Sequence, residues 1–224
     1  MTSFDVFKLS IYYSWAGSII IAISCLLLYN SRPHYIRALG FYALSSIVFS
    51  FGQSMVPIEH QRTWNNPIGN GFVLFEAFLL GSLYYFVTHS NSFRKSVLAS
   101  ITFYIFFYAF VFLFFAEYSF SYIRFGRDLL MILYSIAYFY YLIRALPEEN
   151  LLRFPMFWIN AAIIFFFSGM FILSFFRDYI VTVLKDDTSG FWAFRNFFRF
   201  AFCIVLAYAG WLDWRSIKSK AATQ

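Results

Sequence analysis

Two arginines stand inside an aromatic run near the C-terminus that otherwise has the composition of a membrane-spanning helix. They are Arg195 and Arg199 of the stretch SGFWAFRNFFRF, and an acidic residue, Glu76, lies in a similarly apolar stretch. A guanidinium offers a planar fork of donors that matches a carboxylate or a phosphate. These residue types therefore predict either an ion pair between helices or a site for an anionic ligand.

The composition indicates whether the protein that carries these charges is surrounded by water or by lipid. Hydrophobic residues make up 61% of the chain, aromatic residues 25% and charged residues only 12%, against about 25% charged residues in a typical soluble domain. A chain this apolar cannot expose its surface to water. We therefore expect a protein of the membrane, in which the bilayer covers most of the outer surface.

The hydrophobic runs predict seven membrane-spanning helices, since a span needs about 20 residues. Four runs contain no Asp, Glu, Lys or Arg: 9–31, 38–58, 96–116 and 154–176. Three more carry charge: 67–88 includes Glu76, 125–143 begins with Arg127 and Asp128, and 191–212 includes the two arginines. The predicted fold is all-α, a polytopic bundle of seven transmembrane helices.

The connections between these runs are short and rich in Pro, Asn, Gly and charge, where helices stop. None could hold a soluble domain, so we expect 1–224 to form a single seven-helix transmembrane domain. The first run is longer than the apolar part of a signal peptide, so it should remain as a helix. The expected location is the plasma membrane, which in a bacterium is the cytoplasmic membrane.

The basic residues predict an orientation, because cytoplasmic loops carry an excess of Lys and Arg. Six lie on the side where the chain begins: Lys8, Arg62, Arg124, Arg127, Arg177 and Lys185. Nine lie on the other side: Arg32, Arg37, Arg94, Lys95, Arg144, Arg153, Arg215, Lys218 and Lys220. The N-terminus should therefore be outside and the C-terminus in the cytoplasm.

With that orientation, the three charged spans all enter the membrane from outside. Glu76 and Arg199 should both lie roughly 12 to 14 Å below the outer surface, at 1.5 Å per residue, so we expect Glu76 to pair with Arg199 or Arg195. Charge inside a membrane costs several kcal/mol and faces the bundle interior or a wet cavity. Around these three residues we expect further ligand contacts from Gln53, Asn70, Arg127, Asp128, Asn196 and Tyr134.

The second and sixth spans match when Phe41 is placed on Phe157 and Tyr42 on Trp158. The third and seventh match through GFVLFE and GFWAFR, which sets Glu76 opposite Arg195. Three helices, a single fourth and three more in the same orientation resemble the parallel 3+1+3 repeat of SWEET-type sugar transporters. The proline–glutamine motif of their relatives is absent, since GQS around Gln53 has no preceding proline.

A second resemblance rests on NPIGNGFVLFEAFLLGSLYYF in the third span and FPMFWINAAIIFFFSGMFIL in the sixth. These segments resemble parts of small bacterial seven-span membrane proteins that have no assigned function. Some members of that group sit as sensory heads on signalling proteins. The resemblance covers the third and sixth spans, and it implies no chemistry.

Several membrane activities are not supported by the residues present. A retinal protein needs a lysine inside a span for its Schiff base, and all five lysines fall in loops or at span ends. His34, His60 and His89 are dispersed over the two sides, which does not suit the ligand set of a zinc hydrolase or a haem protein. We therefore predict no enzyme activity, no metal and no cofactor, and no nucleic-acid partner.

Two functions remain open. The first is a receptor or sensor that binds a small, anionic ligand in an outward-facing polar cavity and passes the change to a cytoplasmic or membrane signalling partner. The second is a small-solute transporter with the 3+1+3 repeat. A third alternative is structural, with the Glu76–arginine pair serving only to hold two helices together. Polar residues are sparse below the level of Glu76, which favours binding over transport.

Overall fold

A computed structural model describes residues 3–27, 29–55, 61–114, 119–145, 151–183 and 189–221, and in these ranges the regular structure is helical. Seven long helices follow one another: α1 Ser3–Leu26, α2 His34–Met55, α3 Gln61–Val87, α4 Asn91–Phe114, α5 Ser119–Ala145, α6 Pro155–Val183 and α7 Ser189–Ala221. Short 3-10 turns at Tyr29–Ser31 and Leu151–Arg153 precede α2 and α6. The predicted all-α architecture of seven helices is confirmed for the described residues.

Six of these helices, all except α5, are long and apolar enough to cross a bilayer. α5 has the length of a span, but Arg124, Arg127 and Asp128 lie within its first turns and lower its hydropathy. The large side chains on the outside of the bundle are apolar, with Phe103 and Leu113 each 73% exposed. An exterior of this kind is typical of contact with lipid, so the chain is a membrane-spanning helical bundle.

The helices differ from the predicted spans mainly at their ends. α1 ends at Leu26, five residues before the predicted boundary at Ser31, because the chain turns through Tyr29–Ser31 ahead of Pro33. α6 continues past Arg177 to Val183, and α7 extends nine residues beyond Leu212. Charged residues at a membrane boundary end the apolar run without ending the helix, so hydropathy alone underestimates helix length.

Six helices form a ring, in the order α1, α2, α3, α5, α6, α7, and the most extensive packing, between α7 and α1, closes it. α4 lies outside this ring and packs on α3 and α5. Its buried side chains form one stripe, Val97, Ile101, Tyr104 and Val111, as expected for a helix that touches the bundle on a single face. The six helices of the ring therefore enclose the interior of the bundle, and α4 packs against the ring from outside.

Consecutive helices are joined by short connections and run in opposite directions. α1, α3, α5 and α7 thus begin at the same end of the bundle, which we call the N-terminal side, and end at the other, the C-terminal side. A small residue allows α1 and α7 to approach closely, since a Cβ added at Gly17 would lie 2.7 Å from Cβ of Cys203. This close approach fixes the register of the two helices that close the ring.

Candidate functional site

The centre of the bundle holds a buried cluster of three charged residues from α3 and α5. Arg127 forms an ion pair with Glu76 through Nη1 and Oε2, and with Asp128 through Nη2 and Oδ1 at 2.5 Å. Nε of Arg127 also donates to Oδ1 of Asp128 at 2.9 Å. All three side chains are buried. One guanidinium thus pairs with two carboxylates, and its bond to Glu76 spans the interface between α5 and α3.

This pairing corrects the expectation that Glu76 binds Arg195 or Arg199. The physical reason is the order of the ring, in which α3 packs directly on α5 while α7 packs on α1 and α6. Glu76 and Arg199 were expected at the same depth in the membrane, but equal depth does not determine which helices are neighbours. Arg127 was expected to stand above Glu76, and its long side chain contacts the carboxylate directly.

Three side chains from the rest of the ring complete the cluster. The hydroxyl of Tyr42 in α2 donates to Oε1 of Glu76 at 2.9 Å, and the hydroxyl of Ser174 in α6 donates to Oδ2 of Asp128 at 3.2 Å. The ring of Phe167 lies 5.1 Å from the Arg127 guanidinium, within the range of a cation–π contact. The cluster therefore joins α2, α3, α5 and α6 through charge-assisted contacts.

Arg199 occupies a separate polar position between α7 and α2. Its Nη2 donates to the hydroxyl of Ser46 at 2.6 Å, and Ser46 in turn contacts the hydroxyl of Ser18 in α1 at 3.2 Å. Its guanidinium lies 5.7 Å from the ring of Phe72 in α3. Nε of Arg199 is buried and, among the described residues, has no hydrogen-bond partner. This guanidinium retains donor capacity that the described residues do not use.

Arg195 lies one turn closer to the N-terminal side and lines a crevice between α5, α6 and α7. Its guanidinium stacks 4.5 Å from the ring of Trp192. The crevice has a volume of about 10 Å³, and Arg124 and Ser174 lie on its opposite walls, which is room for about one water molecule. The structure therefore places two arginines from different helices beside one small crevice.

The other expected site residues divide into those near the arginines and those elsewhere. Asn70 is buried, and its Oδ1 has no hydrogen-bond partner among the described residues. The amide of Asn196 donates to the hydroxyl of Ser10 in α1 at 3.0 Å. Tyr134 faces α4, where its hydroxyl contacts Ser100 at 2.6 Å, away from the charged cluster. Gln53 lies in α2, and its side chain is outside the described part of the structure.

A second buried network lies closer to the C-terminal side. The hydroxyl of Tyr84 in α3 donates to Oδ1 of Asn160 in α6 at 2.8 Å and contacts the hydroxyl of Ser135 in α5 at 2.8 Å. The amide of Asn160 donates to the backbone carbonyl of Ser135 at 3.1 Å. All three residues are 0% exposed. The interior of the bundle therefore carries polar groups on both sides of its middle.

Sequence reasoning missed one ion pair altogether. The sequence predicts that Arg32 is an exposed residue of the loop between the first two spans. In the structure it is 2% exposed and pairs with Asp213 of α7 at 2.5 Å. It also donates to the carbonyls of Leu27, Ser24 and Gly210 at 2.8 to 3.0 Å. The signal was available in the sequence, since Asp213 is an acidic residue in an otherwise basic C-terminal segment.

Comparison with models of known protein families, with curated proteins and with solved structures finds no match. We therefore infer the function from the geometry of the chain's own residues.

Proposed function

We propose that this protein is a membrane receptor or sensor that binds a small anionic ligand within the part of the bundle that contains Arg195 and Arg199. Within the described residues, Arg199 donates a hydrogen bond to the neutral hydroxyl of Ser46. A ligand that carries a carboxylate or a phosphate would give the Arg199 guanidinium an anionic partner.

One observation carries the proposal. Within the described residues the ion pairs of Glu76 and Asp128 are with Arg127, so these carboxylates do not occupy the donors of Arg199. Arg199 bonds to a neutral hydroxyl, that of Ser46, and its Nε lacks a partner among the described residues. A buried donor without a partner costs about 1 to 3 kcal/mol, and more when charged. An anion that accepts from Nε and Nη2 would recover that cost.

The small size of the crevice beside Arg195 supports sensing in particular. With a volume of about 10 Å³ it admits about one water molecule, so a larger anion would have to separate α5, α6 and α7. Ser174 lines this crevice and bonds to Asp128 of the central cluster. Entry of a ligand would thus disturb a contact that links α6 to α5 and would change the relative position of these helices.

A thermal-shift screen of the purified protein in neutral detergent tests the proposal. The probes are small carboxylates and phosphates, each compared with its neutral amide or alcohol analogue. We expect at least one anion to raise the midpoint of unfolding, because a ligand at 100 times its Kd stabilises the folded state by about 2.7 kcal/mol. We expect Arg199→Lys to abolish this shift, since lysine keeps the charge but loses the planar fork.

Arg144→Lys is the matched control, because Arg144 is exposed at the opposite end of the bundle and stacks on Tyr140. It should leave the anion-induced shift unchanged. Stabilisation by neutral or cationic compounds only would contradict the proposal. So would an anion-induced shift that survives both Arg199→Lys and Arg195→Lys in folded protein, and the buried charges would then hold helices together and bind nothing.

A second candidate, transport of a small solute, is favoured by the network of Tyr84, Ser135 and Asn160. Transport requires polar groups on both sides of the membrane centre, and this network extends them toward the C-terminal side. The ring order with α4 outside is also compatible with a 3+1+3 repeat. Uptake of the stabilising anion into proteoliposomes would favour transport, whereas binding without uptake would favour sensing.

A further inference from the structure

A polar groove opens at the C-terminal side of the bundle, remote from the buried charges. It has a volume of about 340 Å³ and lies between Arg153, in the 3-10 turn before α6, and the last turns of α7. From α7 it is lined by Leu212, Arg215, Ser216 and Ser219. Two arginines from different segments of the chain therefore border one groove at the level where a membrane-spanning helix leaves the bilayer.

The charge of this groove is not balanced by carboxylates of the described residues. Arg153 and Arg215 are exposed, and among the described residues neither forms an ion pair within 4 Å. The described residues that line the groove include no carboxylate. Ser216 lines the groove, and its hydroxyl donates to the backbone carbonyl of Asp213 at 2.9 Å, so its oxygen retains lone pairs that can accept a hydrogen bond. The groove thus combines two cations with hydroxyl groups.

An apolar groove of about 610 Å³ runs along the neighbouring face of α7, between this helix and α1. Its lining includes Tyr208, Trp211 and Trp214 from α7 and apolar side chains of α1. The two grooves adjoin at Arg215, whose guanidinium lies 5.7 Å from the ring of Trp211. Trp and Tyr are enriched where a helix crosses from lipid tails to headgroups, so this junction lies at the membrane interface.

We propose that the two grooves together bind one anionic phospholipid. Its phosphate lies between Arg153 and Arg215, each of which offers a fork of donors matched to phosphate oxygens. A glycerol headgroup donates to the Ser216 hydroxyl, and an acyl chain follows Trp211 and Tyr208 toward the membrane centre. Basic pockets at the end of transmembrane helices are a known mode of anionic lipid recognition. This site is independent of the anion site proposed above.

The lipid is favoured over free phosphate because the apolar groove adjoins the basic one. Free phosphate would use only the two arginines, in a groove open to salt that screens exposed charge. A lipid adds van der Waals contacts between its acyl chain and Trp211, which free phosphate cannot make. The described residues of the groove lining include no carboxylate, so they offer the ammonium group of a zwitterionic headgroup no partner.

Native mass spectrometry of the full chain in neutral detergent tests the proposal directly. Short-chain phosphatidylglycerol and phosphatidylcholine are added in separate titrations, and apparent dissociation constants are compared. We expect phosphatidylglycerol to bind about tenfold more tightly than phosphatidylcholine, and Arg153→Gln and Arg215→Gln each to weaken it by about tenfold, the size of one charge-assisted hydrogen bond. Arg215→Lys, which keeps the charge, should give an intermediate loss and serves if Arg215→Gln does not fold.

Arg144→Gln is the matched control, because Arg144 is an exposed arginine at the same end of the bundle that does not line either groove. It should leave lipid binding unchanged. Equal binding of the two lipids, or an equal loss in Arg144→Gln, would overturn the proposal. Displacement of the bound lipid by inorganic phosphate at comparable concentration would also overturn it and would assign the groove to free phosphate.

Discussion

Arg127 of α5 forms an ion pair with Glu76 of α3 in the interior of a bundle whose outer surface is apolar. A charge in this environment costs several kcal/mol unless it is paired. The same guanidinium also contacts Asp128 through two of its nitrogens. Arg127 therefore holds two carboxylates, and its loss should matter more than the loss of either partner.

The first prediction is a ranking of stability losses at this cluster. Arg127→Gln leaves two buried carboxylates without their cation, and we expect it to lower the free energy of unfolding by about 3 to 5 kcal/mol. Glu76→Gln removes one carboxylate but leaves Arg127 paired with Asp128, so it should cost about 1 to 3 kcal/mol. Unfolding of the purified protein by sodium dodecyl sulfate measures both losses.

Arg144→Gln controls for the loss of an arginine as such, because Arg144 is exposed and contacts the ring of Tyr140. It should change the free energy of unfolding by less than about 1 kcal/mol. Equal losses for Arg127→Gln and Glu76→Gln, or a larger loss for Glu76→Gln, would show that Arg127 is not the residue that contributes most to the stability of the cluster.

The second prediction concerns the pair of Arg32 and Asp213, which joins the turn before α2 to α7. Arg32→Gln leaves Asp213 and three backbone carbonyls without a donor, and we expect a loss of about 3 to 5 kcal/mol in sodium dodecyl sulfate unfolding. Asp213→Asn keeps the carbonyl contacts of Arg32 and should cost less, about 1 to 3 kcal/mol.

Arg37 lies in the same region and provides the comparison. It donates to the backbone carbonyls of Arg32 and Asn30 and does not pair with a carboxylate among the described residues. We expect Arg37→Gln to cost less than about 1 kcal/mol. A loss as large as that of Arg32→Gln would mean that the turn is stabilised by its carbonyl contacts and that the ion pair adds little.

The seven helices could be predicted from the sequence because one signal, the length of the apolar runs, determines them. Glu76 and Arg127 could be recognised as buried charges for the same reason. Their pairing could not, because it depends on which helices are neighbours. A ring in which α3 meets α5 while α4 stays outside is set by side-chain packing and not by hydropathy. At Gly81 of α3, for example, an added Cβ would lie 2.8 Å from Ile101 of α4 and 3.5 Å from Tyr134 of α5.

For Arg32, hydropathy predicts exposure and the structure shows burial. It lies between two apolar runs, next to Pro33, where hydropathy predicts an exposed loop residue. The guanidinium is nevertheless buried, because the C-terminal carbonyls of α1 need donors and Arg32 supplies them at Ser24 and Leu27. A helix end leaves four carbonyls without intrahelical partners. Hydropathy does not register this demand for hydrogen-bond donors, so it places Arg32 among the exposed cytoplasmic charges.

The third prediction is the orientation in the membrane. Removing the buried Arg32 from the basic count reduces the excess on the C-terminal side but does not reverse it, so we still expect that side to face the cytoplasm. A reporter active only in the cytoplasm should function when fused after Gln224 and should fail when fused after Trp64. The reverse pattern would place the polar crevice of Arg195 on the cytoplasmic side and exclude an extracellular ligand.

The last prediction tests the closure of the ring. A methyl group at Gly17 of α1 would lie 2.7 Å from Cβ of Cys203, an atom fixed to the backbone of α7, so the two helices would have to separate. We expect Gly17→Ala to lower the free energy of unfolding by about 1 to 3 kcal/mol. Gly71→Ala is the matched control, because Gly71 lies within α3 with nothing within 4 Å of the added atom. It should stabilise the helix by up to about 1 kcal/mol. The same sign for both substitutions in sodium dodecyl sulfate unfolding would show that α1 and α7 do not pack at Gly17.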